Sequence, residues 1–280
     1  MLIWPVKRFV AGDDRHQAFE VVRELNARGL SVSLDRLGEN VRERKQAEHF
    51  RDVYVRLLHG IADAGVDANI SIKLTMIGLD IERKLARDHL VEILEVAEET
   101  GNWVRIDMEG SPYTQLTLEV FHQVFEAHRN TGVVVQSMLR RSAEDVERLI
   151  TAGARVRLVK GAYREPAPLA FQDKRDVNEE FDRLARRLLD DGEYPAIATH
   201  DQDRIDAVLR HVTERGIDPD RFEFQMLYGI RRQTQESLVE RGYRMRVYVP
   251  YGGQWLPYFS RRLRERKENV LFVLGNLVRK

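Results

Sequence analysis

The chain has 280 residues, contains no cysteine, and balances 45 lysines and arginines against 45 aspartates and glutamates. The balanced charge excludes a strong overall attraction to nucleic acid or an anionic membrane, so a small molecule is the expected partner. The lack of cysteine excludes disulfides, thiolate metal sites and a cysteine nucleophile. The sequence shows neither a secretory signal nor an apolar run of the ~20 residues that cross a bilayer, so a cytoplasmic location is expected.

Short apolar runs rich in β-branched residues alternate with longer charged segments of helical period along nearly the whole chain. A helical segment at about residues 14–28 comes first. The predicted strands are residues 30–37, 69–77, 103–109, 133–139, 155–160, 196–200, 222–227 and 245–249. The predicted helices that follow them are residues 39–64, 81–99, 113–129, 143–152, 171–189, 204–215, 231–241 and 255–269.

Turn and cap residues punctuate this alternation. Ser142 and Asp201 can cap the starts of helices. The glycines expected to follow helices are Gly65, Gly101, Gly132, Gly153, Gly216 and Gly242. Eight strand–helix units with right-handed crossovers close naturally into an α/β fold of the (βα)8 TIM-type barrel, expected as one domain over residues 1–280. An open doubly wound sheet is the alternative, but its Gly-x-Gly-x-x-Gly pattern is absent.

The carboxyl ends of the predicted strands are strongly polar. Reactive groups of β/α barrels sit at those ends, and burying charges among apolar strands costs several kcal/mol per ion unless they are paired or used. The polar strand-end residues are Lys73, Asp107, Glu109, Gln136, Arg157, Lys160, Tyr163, Thr199, His200, Asp201, Gln225, Tyr228, Tyr248 and Tyr251. Their clustering predicts a ligand at the mouth of the barrel.

Single residues of this set leave alternatives open. Lys73 either forms an ion pair with Asp107 or binds substrate. His200 is either a hydrogen-bonded structural or cofactor contact or a general base. Arg261 and Arg262 lie one helical turn before Glu265, and a surface salt bridge would account for this spacing. No metal is expected, because the sequence has no His/Cys cluster with metal-ligand spacing.

Seven regions of the chain carry sequence motifs that follow one another in a characteristic order. They are SIKLTMIG at residues 71–78, RIDMEGS at 105–111, VVVQSMLRRS at 133–142, RLVKGAY at 157–163, ATHD at 198–201, EFQMLYG at 223–229, and RVYVPYG followed by YFSRRLRER within 246–266. With these motifs, the chain resembles the proline dehydrogenase family in its monofunctional bacterial form, from about Arg8 to the end.

The resemblance implies a barrel that binds FAD non-covalently, with the last helix over the barrel mouth. Lys73, Arg261 and Arg262 would hold the carboxylate of L-proline, which suits the fork geometry of arginine. Glu265 would orient the two arginines. The implied walls around the pyrrolidine ring are Tyr248, Tyr258, Tyr163, Ala162 and Leu227.

The resemblance also implies the catalytic residues and the flavin contacts. Asp107, beside Lys73, and Arg157, near flavin N5, are the implied catalytic residues. The implied cofactor contacts besides Arg157 are Met108, Gln136, Val159, Lys160, Gly161, Ala162, Thr199, His200 and Gln225. Cationic groups in this set suit the charge of a reduced flavin and of the pyrophosphate.

The implied reaction is hydride transfer from the ring carbon next to the proline nitrogen to flavin N5, giving 1-pyrroline-5-carboxylate in the first step of proline catabolism to glutamate. A quinone would reoxidise the flavin, which implies transient contact with the inner face of the bacterial membrane. A separate pyrroline-5-carboxylate dehydrogenase would take the product, since no aldehyde dehydrogenase domain follows. Family members usually carry additional helices before the position of Arg8, where this chain has MLIWPVK.

Two other functions remain open from the residues alone. A lyase or aldolase would form a Schiff base through Lys73 or Lys160, which borohydride trapping with a keto substrate would detect. A non-catalytic barrel would bind an amino acid or a nucleotide without bleaching any bound chromophore.

Overall fold

The computed structural model describes residues 8–38 and 40–253. Its helices are Arg15–Asn26 (α1), Arg44–Ala64 (α2), Arg83–Glu99 (α3), Ser111–Phe125 (α4), Ser142–Thr151 (α5), Lys174–Asp191 (α6), Gln202–Arg215 (α7) and Arg232–Glu240 (α8). Its strands are Ser31–Arg36 (β1), Ala68–Ile72 (β2), Val104–Ile106 (β3), Thr131–Gln136 (β4), Arg155–Val159 (β5), Ala196–Ala198 (β6), Glu223–Leu227 (β7) and Met245–Tyr251 (β8). In these two ranges, no helix has both the length and the apolar character needed to cross a membrane.

The eight strands form one closed, parallel barrel in chain order. β1 and β8 close it through six residue pairs, from Ser31 opposite Arg246 to Arg36 opposite Tyr251. A helix follows each of the strands β1 to β7, so the (βα)8 barrel expected from the sequence is confirmed. Helix α1 precedes the barrel and packs against β1, β8 and α2. The helix predicted at residues 255–269, expected over the mouth, lies outside the described residues.

The two faces of each strand carry different side chains, because neighbouring residues in a strand point in opposite directions. In β1, Val32 is fully buried in the apolar layer between strands and helices. Ser33 and Asp35 face the barrel interior instead, where they contact Ser71 and Lys73 of the neighbouring strand and its end. The interior of the barrel is therefore polar, and its charged side chains lie within reach of a ligand at the mouth.

Arginines fill the end of the barrel interior that lies away from the mouth. Arg246 donates to both carboxylate oxygens of Glu223, at 3.0 and 3.1 Å. Arg105 is fully buried and donates to two carbonyl oxygens of neighbouring strands. Gly132 makes room for it, since a Cβ at this position would lie 2.7 Å from Arg105 Nη1. The expectation that Gly132 follows a helix is wrong, because it lies inside β4 and serves this close packing.

Other boundaries also differ from the sequence-based expectation. β2 ends at Ile72 rather than at residue 77, because the next apolar residues form a buried 3-10 helix, Leu74–Ile77, which a short apolar run does not distinguish from a strand. The helix predicted from residue 39 begins at Arg44. Ser142 does not cap α5, since its hydroxyl donates to a carbonyl oxygen of β4 at 2.6 Å, whereas Asp201 caps α7 as expected.

Candidate active site

Three side chains form a hydrogen-bonded cluster across the barrel mouth. Asp107 follows β3, while Arg157 lies in β5 and Tyr248 in β8. Arg157 Nη1 donates to Asp107 Oδ1 at 2.7 Å, and the Tyr248 hydroxyl donates to Asp107 Oδ2 at 2.7 Å. The Arg157 guanidinium carbon also lies 5.3 Å from the centre of the Tyr248 ring. One carboxylate thus fixes a cation and a tyrosine, and all three belong to the site that the sequence analysis assembled.

Two serines hold the other side of Arg157. Its Nη2 donates to Ser71 Oγ at 3.1 Å and lies 3.4 Å from Ser33 Oγ. The two hydroxyl oxygens are 3.0 Å apart. Neither serine could be predicted from the sequence, because an uncharged residue within a strand gives no signal of its own. Arg157 Nε is buried and has no hydrogen-bond partner among the described residues, so one donor of a rigidly held cation has no acceptor there.

Lys73 is paired with Asp35, a residue that the sequence analysis missed. Lys73 Nζ lies 2.8 Å from Asp35 Oδ1, and both residues are buried. The alternative ion pair between Lys73 and Asp107 is wrong, because Lys73 bonds to Asp35 and Asp107 bonds to Arg157. Burial works to lower the pKa of Lys73, but the negative charges of Asp35 and Asp107 outweigh it and raise that pKa. Lys73 is therefore an ammonium ion. The alternation of S-V-S-L-D-R in β1 was the signal that could have revealed Asp35.

The charges of this buried quartet cancel. Lys73 and Arg157 contribute two positive charges, and Asp35 and Asp107 contribute two negative ones. A carboxylate ligand that contacted this quartet alone would find each cation already paired. Strong attraction of a carboxylate therefore needs further cations, which is the role that the sequence analysis gave to the two arginines of the last predicted helix.

Glu109 and Gln136 join the ends of β2, β3 and β4. Gln136 Nε2 donates to the Glu109 carbonyl oxygen at 3.0 Å, and the Thr75 hydroxyl donates to the Glu109 carboxylate at 2.7 Å. Burial raises the pKa of Glu109, although the hydrogen bond from Thr75 opposes the increase. With one amide donor used in this way, Gln136 is held at the strand end where a flavin contact was predicted.

Lys160 lies at the neighbouring strand end and is paired with Asp201. Lys160 Nζ lies 2.6 Å from Asp201 Oδ2, and the backbone N–H of Asp201 donates to Thr199 Oγ1 at 3.1 Å. Partial burial works to raise the pKa of Asp201, but the hydrogen bond and charge of Lys160 outweigh it and lower that pKa. Lys160 and Thr199, both predicted cofactor contacts, are thus connected through Asp201 on adjacent strand ends.

His200 has a structural hydrogen bond. Its Nε2 accepts the backbone N–H of Leu227 at 2.9 Å, which links the ends of β6 and β7. A neutral imidazole whose Nε2 accepts carries its proton on Nδ1. The lone pair that a general base would use is therefore occupied, which favours the structural or cofactor-contact interpretation of His200.

The other described members of the predicted site, apart from Gln225, occupy the same end of the barrel. Val159 ends β5 opposite Gln136, and Leu227 ends β7 opposite Tyr248. Gly161 adopts a left-handed φ of +112°, and a Cβ there would lie 2.4 Å from a methionine sulfur. The remaining members at this end are buried Met108 and half-buried Ala162 and Tyr163 in the loop after β5. Gln225 was expected at a strand end, but it lies in the middle of β7 opposite Arg246, and its amide donates to Glu223, away from the mouth.

Four predicted substrate residues, Tyr258, Arg261, Arg262 and Glu265, lie outside the described residues, so their place over the mouth stays a prediction. Within residues 8–38 and 40–253, no group of three or more histidine, aspartate or glutamate side chains is arranged to hold a metal ion. The geometry given above for the mouth is therefore that of the described strand ends and the loops that follow them.

A closed (βα)8 barrel with buried, paired charges at the carboxyl ends of its strands has the architecture of an enzyme that acts on a small molecule. The sequence model of one family, described as proline dehydrogenase, matches residues 18–274. The chain belongs to the proline dehydrogenase family, as the motifs indicated.

Individual relatives agree with this assignment. The chain is 43% identical to proline dehydrogenase 1 of Bacillus subtilis subsp. natto over 274 residues, which covers 98% of this chain and 91% of that protein. It is 39% identical to the proline dehydrogenase of Deinococcus radiodurans over 279 residues, covering 98% and 90%. Among solved structures, proline utilization A (PutA) of Bdellovibrio bacteriovorus inactivated by N-propargylglycine matches with a TM-score of 0.86 and 28% identity, over 92% of this chain and 32% of that longer one.

Proposed function

We propose that this chain is a proline dehydrogenase that oxidises L-proline to 1-pyrroline-5-carboxylate with bound FAD. The observation that carries the proposal is the cluster of Arg157, Asp107 and Tyr248 beside the Lys73–Asp35 pair at the barrel mouth. Membership of the family and the identity of about two residues in five to curated proline dehydrogenases support it.

The residues at the mouth fit FAD by their donors and charges. Arg157 offers a buried Nε with no hydrogen-bond partner among the described residues, and Lys160 supplies a second cation on the same strand end. The residues that would hold FAD are Met108, Gln136, Arg157, Val159, Lys160, Gly161, Ala162, Thr199, His200 and Gln225. When bound, FAD supplies a two-electron acceptor for a hydride.

The substrate would be fixed by its carboxylate. Lys73 donates one charged hydrogen bond, and Arg261 and Arg262, oriented by Glu265, add the positive charge that the neutral quartet lacks. The walls that exclude water and larger amino acids are Tyr248, Tyr258, Tyr163, Ala162 and Leu227. The proline nitrogen must be neutral before the neighbouring carbon gives up a hydride.

Arg157 and Asp107 have different electrostatic roles in the proposed reaction. Arg157 places a fixed positive charge where the reaction delivers an electron pair, and such a preorganised charge stabilises the transition state more than it would in water. Asp107 holds both Arg157 and Tyr248, and so keeps the cation and the pocket wall in a single arrangement.

The charge of Lys73 and the ion pair of Lys160 argue against a Schiff-base enzyme. A lysine attacks a carbonyl only as a neutral amine. Asp35 keeps Lys73 protonated by raising its pKa, and Lys160 is paired with Asp201. Borohydride trapping with pyruvate as the keto substrate is expected to leave both lysines unmodified.

The visible spectrum of the purified protein, before and after anaerobic addition of L-proline, tests the proposed function. We expect flavin absorption that bleaches with L-proline and persists with D-proline. With its carboxylate held in the clamp, only one enantiomer can place its ring against the walls and its reacting carbon toward the flavin. A protein that takes up no flavin, or a bound flavin that L-proline leaves unchanged, would contradict the proposal. The second outcome would favour a non-catalytic binding barrel.

We propose further that a quinone takes the electrons, in transient contact with the inner face of a bacterial membrane, and that a separate pyrroline-5-carboxylate dehydrogenase in the cytoplasm takes the product. The support is the family's chemistry alone. Turnover of L-proline with vesicles that contain ubiquinone, compared with the same vesicles without quinone and with oxygen alone, tests it. Equal turnover in all three mixtures would remove the quinone from the scheme.

A further inference from the structure

The loop after β5, residues 160–173, carries four predicted site residues, Ala162 among them, and is otherwise largely exposed. Lys160, Gly161 and Tyr163 lie in its first part, and Leu169 near its outer end is 49% exposed. The outer end is fastened to the loop after β4, because the N–H of Phe171 donates to the Met138 carbonyl oxygen at 2.8 Å. At the start of the loop, Asp201 holds Lys160, and the segment between these two points has an anchor of its own.

Glu165 makes that anchor. Its Oε1 accepts the backbone N–H of Ser111 at 2.7 Å, and its Oε2 accepts the Ser111 hydroxyl in a second, short hydrogen bond. Ser111 is the first residue of α4, the helix that follows Asp107 and Met108. Two strand ends that carry site residues, those of β3 and β5, are therefore joined by one half-buried carboxylate.

The start of α4 is built to receive a carboxylate from elsewhere. Its N-cap residue is Gly110, which has no side chain to accept the first helical N–H groups. Glu165 supplies the acceptor that a serine or aspartate usually provides, and its negative charge suits the positive end of the helix dipole. A Cβ on Gly110 would lie 3.5 Å from Glu165 Oε1 and 3.8 Å from Tyr163 Cδ1, so the carboxylate and the tyrosine ring share the space above this glycine.

We propose that Glu165 is a positioning residue that sets substrate affinity by holding Tyr163 in the pocket wall. The inference rests on the proposed function, since Tyr163 is a wall for proline only if proline is the substrate. Tyr163 packs against the buried cluster of Met138, Leu139, Ala170 and Val177. Loss of the Glu165 anchor would remove one of the contacts that fix the chain two residues after this ring.

Kinetics of two Glu165 variants test this role. Glu165→Ala removes both acceptors, and we expect the KM for L-proline to rise about tenfold while kcat stays within about twofold, because uniform binding is lost rather than transition-state binding. Glu165→Gln keeps an oxygen for the Ser111 N–H and is expected to restore most of the affinity. Glu144→Ala, which removes an exposed carboxylate on α5, is the matched control with unchanged kinetics.

A double-mutant cycle separates positioning from general damage. In a Tyr163→Ala background, Glu165→Ala should change KM by less than about twofold, because the side chain through which it acts is gone. Two outcomes would overturn the proposal, provided that the wild-type enzyme oxidises proline. One is that Glu165→Ala raises KM as much in the Tyr163→Ala background as in the wild type. The other is that Glu165→Ala alone leaves KM unchanged.

Tryptic cleavage after exposed Arg164 supplies a readout that needs no substrate. We expect Glu165→Ala to be cleaved about ten times faster than Glu165→Gln, because both remove the acidic residue after the cleavage site and only the first removes the anchor. Equal cleavage rates would contradict the anchor itself. If the wild-type protein proved inactive with proline, the proposed function would fail, and this comparison would still decide whether Glu165 fixes the loop.

Discussion

Lys73 and Asp35 show how one buried pair combines a binding role with a structural one. The ammonium ion is available to a substrate carboxylate because Asp35 keeps it charged inside the barrel. The same pairing makes each partner costly to remove alone, since an isolated buried charge is strongly destabilising. Binding and stability therefore have to be measured separately at this site.

Lys73→Met is expected to raise the KM for L-proline at least tenfold and to destabilise the fold by about 3–5 kcal/mol, because Asp35 is left buried without a cation. The double variant with Asp35→Asn should recover most of the stability and none of the substrate affinity. Urea unfolding and steady-state kinetics on both proteins measure the two effects. A double variant as unstable as the single one would show that the pair is not the source of the loss.

Glu109 gives a pH dependence with a definite sign. Because burial raises its pKa in the folded state, its contribution to stability is fully present below the ordinary glutamate pKa and is lost as the pH rises through the folded value. Glu109→Gln should therefore gain stability relative to the wild type as the pH rises from 4 to 8. Urea unfolding at these two pH values measures the difference, and a constant gap would contradict the argument.

The charged residues at strand ends could be found from the sequence, whereas their partners could not. Asp107, Arg157 and Lys160 stand out because they follow apolar runs. Asp35 and the Glu165–Ser111 contact depend on which strand ends are neighbours and on how a loop folds back. Such contacts join residues 38 or 54 positions apart, and no local pattern specifies them.

At the scale of elements, Gly161 determines how the chain leaves β5. Its φ of +112° is a region that side chains rarely adopt, and a Cβ would lie 2.4 Å from Met138 Sδ. The loop that carries Lys160 and Tyr163 therefore begins with a backbone bend that only glycine permits at this packing density.

Gly161→Ala is expected to destabilise the protein by about 1–3 kcal/mol and to weaken FAD binding, because strain at the bend displaces the loop. Gly153→Ala is the control, since Gly153 also has a positive φ, of +68°, but a Cβ there meets no atom within 4 Å. Thermal unfolding and flavin content compare the two. Equal losses would assign the effect to backbone conformation rather than to the contact with Met138.

Helices with a strong hydrophobic periodicity could be predicted well from the sequence, and elements without such periodicity could not. The helices α2, α3 and α7 follow amphipathic runs and end close to the predicted residues. The buried 3-10 helix Leu74–Ile77 has four apolar or uncharged residues that fit a strand equally well, and tertiary packing under α2 and α3 decides between them.

For the whole molecule, a bound cofactor should appear as added stability. A ligand that binds only the folded state at 100 times its Kd adds about 2.7 kcal/mol. We expect saturating FAD to raise Tm by several degrees, and Lys160→Ala to reduce this increase because one cation at the mouth is lost. Calorimetry with and without FAD measures it, with Lys174→Ala at the exposed start of α6 as control. An unchanged Tm would contradict FAD as the cofactor.

The pairing of β1 with β8, which closes the barrel, also constrains how the protein folds during synthesis. It joins residues such as Arg36 and Tyr251, which are 215 positions apart in the chain. A nascent chain on the ribosome therefore presents two open sheet edges until Met245–Tyr251 has left the exit tunnel, and such edges can recruit strands from other chains. Chaperones that shield exposed strands during synthesis should thus raise the yield of this protein more than they would for a helical bundle of the same length.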